Sequence, residues 1–139
     1  MKKIVALCVF CLLAWSKEYE VMMLDKGDKY YKQFEPMLLF VKPGDTVTFK
    51  TTGSGAHNSE SIEAMIPKGA KGWKGDVNKD ISVTFEKEGF YGYKCYNHHM
   101  MGMVGAVVVG NPANLEEAKK ATNPLLSQKR FEEIFSQIK

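Results

Sequence analysis

Through the body of the chain, apolar residues tend to alternate with polar ones. Thr46-Val47-Thr48-Phe49-Lys50 and Ile81-Ser82-Val83-Thr84-Phe85 alternate strictly, which is the period of a strand with one face on a core. Residues 19–24, 37–41, 90–95 and 103–109 read as further short strands, with Phe34-Glu35-Pro36 leading into the second of them. Lys42-Pro43-Gly44-Asp45 between two of these runs is a turn, since proline presets the second position and glycine supplies the third. Residues 86–89 turn the chain again, residues 51–56 and 67–75 are glycine-containing loops, and residues 61–65 fit one helical turn. Seven or so short strands punctuated in this way predict an all-β sandwich or barrel of antiparallel sheets.

The period changes near the end. Asn114 stands where a helix cap belongs, with Glu117 placed to complete a capping box. Asn123-Pro124 opens a second helix with proline in its first turn. Phe131, Ile134, Phe135 and Ile138 then fall on one face, and that face should pack on the sandwich. Residues 113–139 are thus a helical extension of the β domain.

The beginning also differs from the body. Met1-Lys2-Lys3 is basic, residues 4–14 are apolar, and Ala14-Trp15-Ser16 offers small residues at two peptidase-read positions. This predicts a signal peptide, residues 1–16, cleaved near Ser16-Lys17. The competing readings are a buried first strand or an uncleaved anchor, although the run is short for a membrane span. The mature domain is then residues 17–139, exported to the periplasm, with no stable membrane insertion.

That boundary changes the chemistry. Of three cysteines only Cys95 remains, so no internal disulfide can form. A free thiol in an oxidising compartment is a liability unless something occupies it. Without Lys2 and Lys3, seventeen basic residues face sixteen acidic ones. No basic block is dense enough for nucleic acid; Lys68, Lys71 and Lys74 are only a loosely spaced group.

The candidate site is Cys95-Tyr96-Asn97-His98-His99-Met100-Met101-Gly102-Met103, a loop between two strands. Thiolate, imidazole and thioether together favour copper over calcium or magnesium, and a Cys with two His and a weak axial Met is a blue-copper donor set. The chain has three histidines, so His57, in a distant loop, is the candidate for the second imidazole. Cys-x2-His with His-x4-Met selects His98 and Met103, while a rival register uses Cys95, His99 and Met103. Sequence geometry leaves both open. A thiol hydrolase lacks a third orienting residue at a persuasive position, and a thioether adds little for zinc.

The mature chain resembles the cupredoxins, the type 1 blue copper proteins. The resemblance is carried by Phe34-Glu35-Pro36, Pro43-Gly44-Asp45-Thr46-Val47-Thr48-Phe49, His57-Asn58, Met65-Ile66-Pro67, Tyr93-Lys94-Cys95, His98 and Met101-Gly102-Met103-Val104-Gly105. It implies a Greek-key β-sandwich of seven to eight strands with the two helices packed on it. It implies one copper ion, cycling Cu(I)/Cu(II), on His57, Cys95, His98 and Met103. It also implies a monomeric electron carrier rather than an enzyme; the alternative is copper storage or delivery. The donor would be a c-type cytochrome or quinol-oxidising complex. The acceptor would be a nitrite or nitrous oxide reductase, as in denitrification, docking transiently near His98. Asn58 would tie the two ligand loops together. Asn97 stands where the family usually has proline, and its N–H faces either the Cys95 sulfur or water. Lys32 and Gln33 replace residues that are often apolar near the site.

Overall fold

The computed structural model describes residues 15–139. The basic start, the apolar run, Cys8 and Cys11 lie outside the described residues. The strands are β1 (Glu18–Lys26), β2 (Tyr31–Glu35), β3 (Leu38–Val41), β4 (Thr46–Thr51), β5 (Glu60–Ser61), β6 (Ile81–Thr84), β7 (Gly89–Lys94) and β8 (Val104–Val109). They form two four-stranded sheets, β2-β1-β4-β6 and β3-β8-β7-β5. The helices are α1 (Leu115–Ala118) and α2 (Leu125–Ser136), with single 3-10 turns at Glu63–Met65 and His99–Met101.

The sheets are mixed, which corrects the antiparallel expectation. β1 runs parallel to β4, with Val21 opposite Phe49, and β3 runs parallel to β8, with Leu39 opposite Val107. Alternation reports which face of a strand is buried and says nothing of its neighbour's direction. Here the chain passes from one sheet to the other between β3 and β4, so neighbours in a sheet are not neighbours in sequence.

Two strands were not legible. β5 is two residues long, and β2 buries the adjacent Gln33 and Phe34. Gln33 is polar because its side chain works: Oε1 accepts from the N–H groups of Lys29 and Tyr30, and Nε2 donates to Asp28.

β8 is buried along its whole length. Its alternate side chains serve two cores, as a strand covered on both faces requires. Val107 and Val109 face the other sheet beside Val21, Phe34, Val47, Phe49 and Tyr93. Val104, Ala106 and Val108 face the helices beside Phe90, Phe131 and Ile134. In the first core the Tyr93 ring meets Phe34 and Phe49 edge to face, each with centroids 4.8 Å apart. Such contacts contribute about 0.5–1.5 kcal/mol beyond area burial. They hold rigid the end of β7, two residues before Cys95.

The expected capping box does not form. Asn114 Oδ1 accepts from the Phe90 N–H at 2.7 Å, and its Nδ2 donates to the Phe90 carbonyl at 2.9 Å. The side chain satisfies the outer backbone groups of β7, where unpaired buried polar groups would be costly. Pro124 is the N-cap of α2 rather than its first residue, and its carbonyl accepts from Gln128 N–H at 2.8 Å. The predicted apolar face of α2 does pack inward, with Phe131 and Ile134 fully buried and Phe135 and Ile138 partly so.

Candidate metal centre

β7 ends at Lys94, and the next residue, Cys95, is fully buried. The loop that follows is closed by its own backbone. The Cys95 N–H donates to the Met103 carbonyl at 3.0 Å, and the N–H groups of Met101 and Met103 both donate to the His98 carbonyl. Gly102 ends the 3-10 turn with φ +88°, a conformation that glycine adopts without strain. Gly102 also lies against α2: a Cβ there would meet Arg130 Nε at 2.9 Å and Leu126 Cβ at 3.2 Å. Ser127 Oγ donates to the His99 carbonyl at 2.5 Å. The first two turns of α2 therefore fasten the loop in place.

The second loop, after β4, brings His57 to the same end of the sandwich. His57 N–H donates to Asn78 Oδ1 at 3.2 Å, and its carbonyl accepts from Asn78 N–H at 2.7 Å. Asn58 links the two loops: its Oδ1 accepts from Tyr96 N–H at 2.7 Å, and its Nδ2 donates to the Gly75 carbonyl at 3.0 Å. Asn97 adds a second link, from its side-chain Nδ2 to the Ala56 carbonyl at 3.0 Å.

Between these loops the side chains of His57, Cys95 and His98 converge. His57 Nδ1 lies 3.2 Å from His98 Nδ1, and Cys95 Sγ lies 3.9 Å and 3.5 Å from those two atoms. His57 and Cys95 are buried, whereas His98 is half-buried and so is the donor nearest solvent. Met103 is fully buried in the same core cluster as Cys95. His99 stands outside this group, with Asn123, Lys94 and Glu60 around it.

His57 Nε2 lies 2.8 Å from Asp25 Oδ1. An ionised carboxylate only accepts, so Nε2 carries the hydrogen and neutral His57 presents a bare Nδ1. Burial holds His57 below the ordinary imidazole range, with the Asp25 carboxylate opposing that shift. Burial does the same to His98, reinforced by His57 and Lys32. Both rings are therefore biased toward the neutral form, the form that can bind a metal. The bare His57 Nδ1, His98 Nδ1 and the buried Cys95 sulfur face one another as a set of donors that could hold one metal ion. The point equidistant from the three atoms lies about 2 Å from each, the length of a metal–imidazole bond and slightly short of the roughly 2.3 Å of a metal–thiolate bond. The donor set and its dimensions fit one copper ion.

Asp25 was not among the residues picked out from the sequence. A lone Asp near the end of a strand carries no spacing signal toward a histidine 32 positions away, and only the packing of β1 beside the His57 loop exposes the pair.

The plastocyanin/azurin family of copper binding proteins matches residues 21–110. A pseudoazurin from Methylorubrum extorquens is 45% identical over 128 residues, covering 91% of this chain and 86% of that one. A pseudoazurin from Paracoccus pantotrophus is 36% identical, covering 96% and 92%. The crystal structure of native pseudoazurin from Hyphomicrobium denitrificans superposes with a TM-score of 0.82 at 36% identity, over 88% of this chain and 98% of that one.

Proposed function

The chain belongs to the plastocyanin/azurin family of copper-binding proteins, and we propose that His57, Cys95, His98 and Met103 are the ligands of its copper. The protein is a periplasmic carrier of single electrons and not an enzyme, as its pseudoazurin relatives along nearly the whole chain indicate. Bound copper supplies a one-electron Cu(I)/Cu(II) couple. The observation that carries the ligand assignment is the triangle of His57 Nδ1, Cys95 Sγ and His98 Nδ1. Cys95 and His57 exclude water, His98 connects the site to the surface, and Met103, buried in the same core cluster as Cys95, would be the fourth donor. Two buried donors on interlinked loops suit a resident ion and a small reorganisation better than the exchangeable site of a storage or delivery protein. The Asn58 amide N–H is a proposed donor to the thiolate.

The optical and EPR spectra of copper-loaded residues 17–139 test the assignment. Intense orange-red absorption supports it, and a protein that takes up zinc but gives no such band with copper sinks it. Register is tested in the same way. His98→Gly should open a position that added imidazole fills, restoring the colour, while replacement of His99 should leave the chromophore in place. The reverse pattern would move the ligand to His99.

Cleavage near Ser16-Lys17 belongs to the same proposal. The Lys17 backbone is already tied to the domain, its N–H to Asp45 Oδ1 and its carbonyl to Thr46 N–H, while Trp15 is exposed. Cleavage there would release a soluble domain with those contacts kept.

The donor is proposed to be a c-type cytochrome or quinol-oxidising complex, and the acceptor a nitrite or nitrous oxide reductase. The docking face would centre on His98, where Tyr96, Met100, Met101 and Leu126 are exposed, with Lys26 and Lys74 at its rim. Lys68 and Lys71 fall away from it, because the Lys68 carbonyl accepts from Lys87 Nζ and Lys71 lines a hollow with Phe85 and Lys87, ahead of β7, whereas Cys95 follows the end of that strand. Apolar contact gives close approach, and rim charge steers encounter. Charge reversal at Lys26 and Lys74 should slow electron transfer to an acidic partner at least severalfold at low salt, and the effect should shrink as salt is added. Equal stopped-flow rates for the wild type and variants at low ionic strength would remove the lysines from the interface.

A further inference from the structure

We propose that Asp25 and Lys32 form an outer charge couple that sets the reduction potential of the copper site through His57, Asp25 favouring the oxidised state and Lys32 the reduced one. The proposal rests on the ligand assignment above.

Asp25 Oδ1 is shared. It accepts from His57 Nε2 at 2.8 Å and from Lys32 Nζ at 2.7 Å. Around this atom the fold is shaped to fit. A Cβ on Gly55 would stand 2.3 Å from Asp25 Oδ1 and 2.5 Å from His57 Nε2, and Gly55 has φ +73°. Glycine there allows the loop to close over the carboxylate–imidazole contact. Lys32 is one of two non-glycine residues with positive φ among the described residues, at +55°, a conformation that costs a lysine free energy. Its carbonyl is held by Arg130 Nη1 at 2.7 Å, and the Tyr31 carbonyl by Arg130 Nη2 at 3.1 Å. The Arg130 guanidinium lies over the Tyr30 ring, 4.2 Å from its centroid. Helix α2 thus pins the backbone from which Lys32 reaches Asp25.

The consequence follows from charge. A carboxylate accepting the far N–H of a ligand imidazole fixes the tautomer and raises the ring's donor strength. Reduction removes one positive charge from the site, so a negative group one imidazole away opposes it and a positive group assists it. The two members of the couple act with opposite sign, and their ion pair leaves a partial cancellation. Asp25 is the dominant member because it touches the ligand directly.

The test is the potential of the copper-loaded protein and three variants, with the optical band recorded for each. Asp25→Asn keeps an acceptor oxygen and removes the charge; it should shift the Cu(II)/Cu(I) equilibrium about tenfold toward Cu(I), about 59 mV for a one-electron couple. Lys32→Met keeps the stem and backbone and should shift the equilibrium severalfold the other way. The double variant should fall between the single variants. Any other sign pattern overturns the proposal. A group that acted only by holding the fold would not produce opposed shifts beneath an unchanged blue band. If the wild type shows no such band, the ligand assignment fails and the proposal fails with it; if the band is present in every protein, only the Asp25–Lys32 couple is decided by the potentials. The metal-free protein provides a reading independent of copper. NMR of the imidazole nitrogens should find a slowly exchanging Nε2 hydrogen on His57 in the wild type and fast exchange in Asp25→Ala. An unprotected His57 hydrogen in the wild type would also overturn it.

Discussion

Cys95→Ser is expected to abolish the intense orange-red absorption entirely while the domain still folds. Cys95 is fully buried at the end of β7, in the core that also holds Met103, Tyr93 and Phe49. Serine is nearly isosteric there, so packing changes little. Its hydroxyl stays protonated where a thiol on a metal does not, and oxygen is a harder donor than sulfur, less suited to copper in the reduced state. The intense band arises from thiolate-to-copper charge transfer, so no residual intensity should remain even when copper binds through His57 and His98. The measurement is the absorption and EPR spectrum of the copper-loaded variant beside its far-UV circular dichroism. A folded Cys95→Ser protein that keeps the band would show that the chromophore is not built on Cys95.

Phe131→Ala is expected to lower unfolding stability by about 3–5 kcal/mol, the usual cost of emptying an aromatic site in a packed core. Phe131 is fully buried on α2, in the cluster formed with Phe90, Val104, Ala106, Val108 and Ile134. Its ring stacks on Phe135 with centroids 6.0 Å apart. The loss should reach the site as well, because the same helix delivers Ser127 to the His99 carbonyl and Arg130 to Gly102 and Lys32. Urea unfolding of the metal-free protein measures the first effect. Faster loss of copper to a chelator from the folded variant measures the second. A change below about 1 kcal/mol would make α2 a peripheral attachment rather than half of the second core.

The two kinds of information in this chain separate cleanly. Strand alternation at Val47-Thr48-Phe49 and Ile81-Ser82-Val83, the Pro43-Gly44 turn and the Phe131-Ile134 stripe are local, and each made its element readable before any contact was known. The Cys95–Met103 run was equally plain, since soft donors crowded into one loop have few other uses. Reading the ligand register needed the family resemblance, because His98 and His99 are adjacent and either could turn inward; folding brings only His98 into the group with His57 and Cys95.

Other features depended on which segments lie side by side. The parallel pairing of β1 with β4 and of β3 with β8 follows from crossings between sheets, which leave no trace in the alternation of either partner. Asn114 satisfies Phe90 instead of capping α1, because an unpaired backbone edge happens to be within reach. Arg130, which falls outside the apolar stripe of α2, is buried, with two carbonyls of β2 and the Tyr30 ring around it. Lys32 stood out only as a departure from residues often apolar near the site, and Asp25 carried no signal at all; their pairing depends on β1, β2 and the His57 loop meeting around one carboxylate oxygen. Residue type and spacing carry the donor atoms of a metal site, which must have particular chemistry. The groups that hold and tune those donors act through hydrogen bonds across the fold, where many residue types can serve, so only the packed structure reveals which ones do.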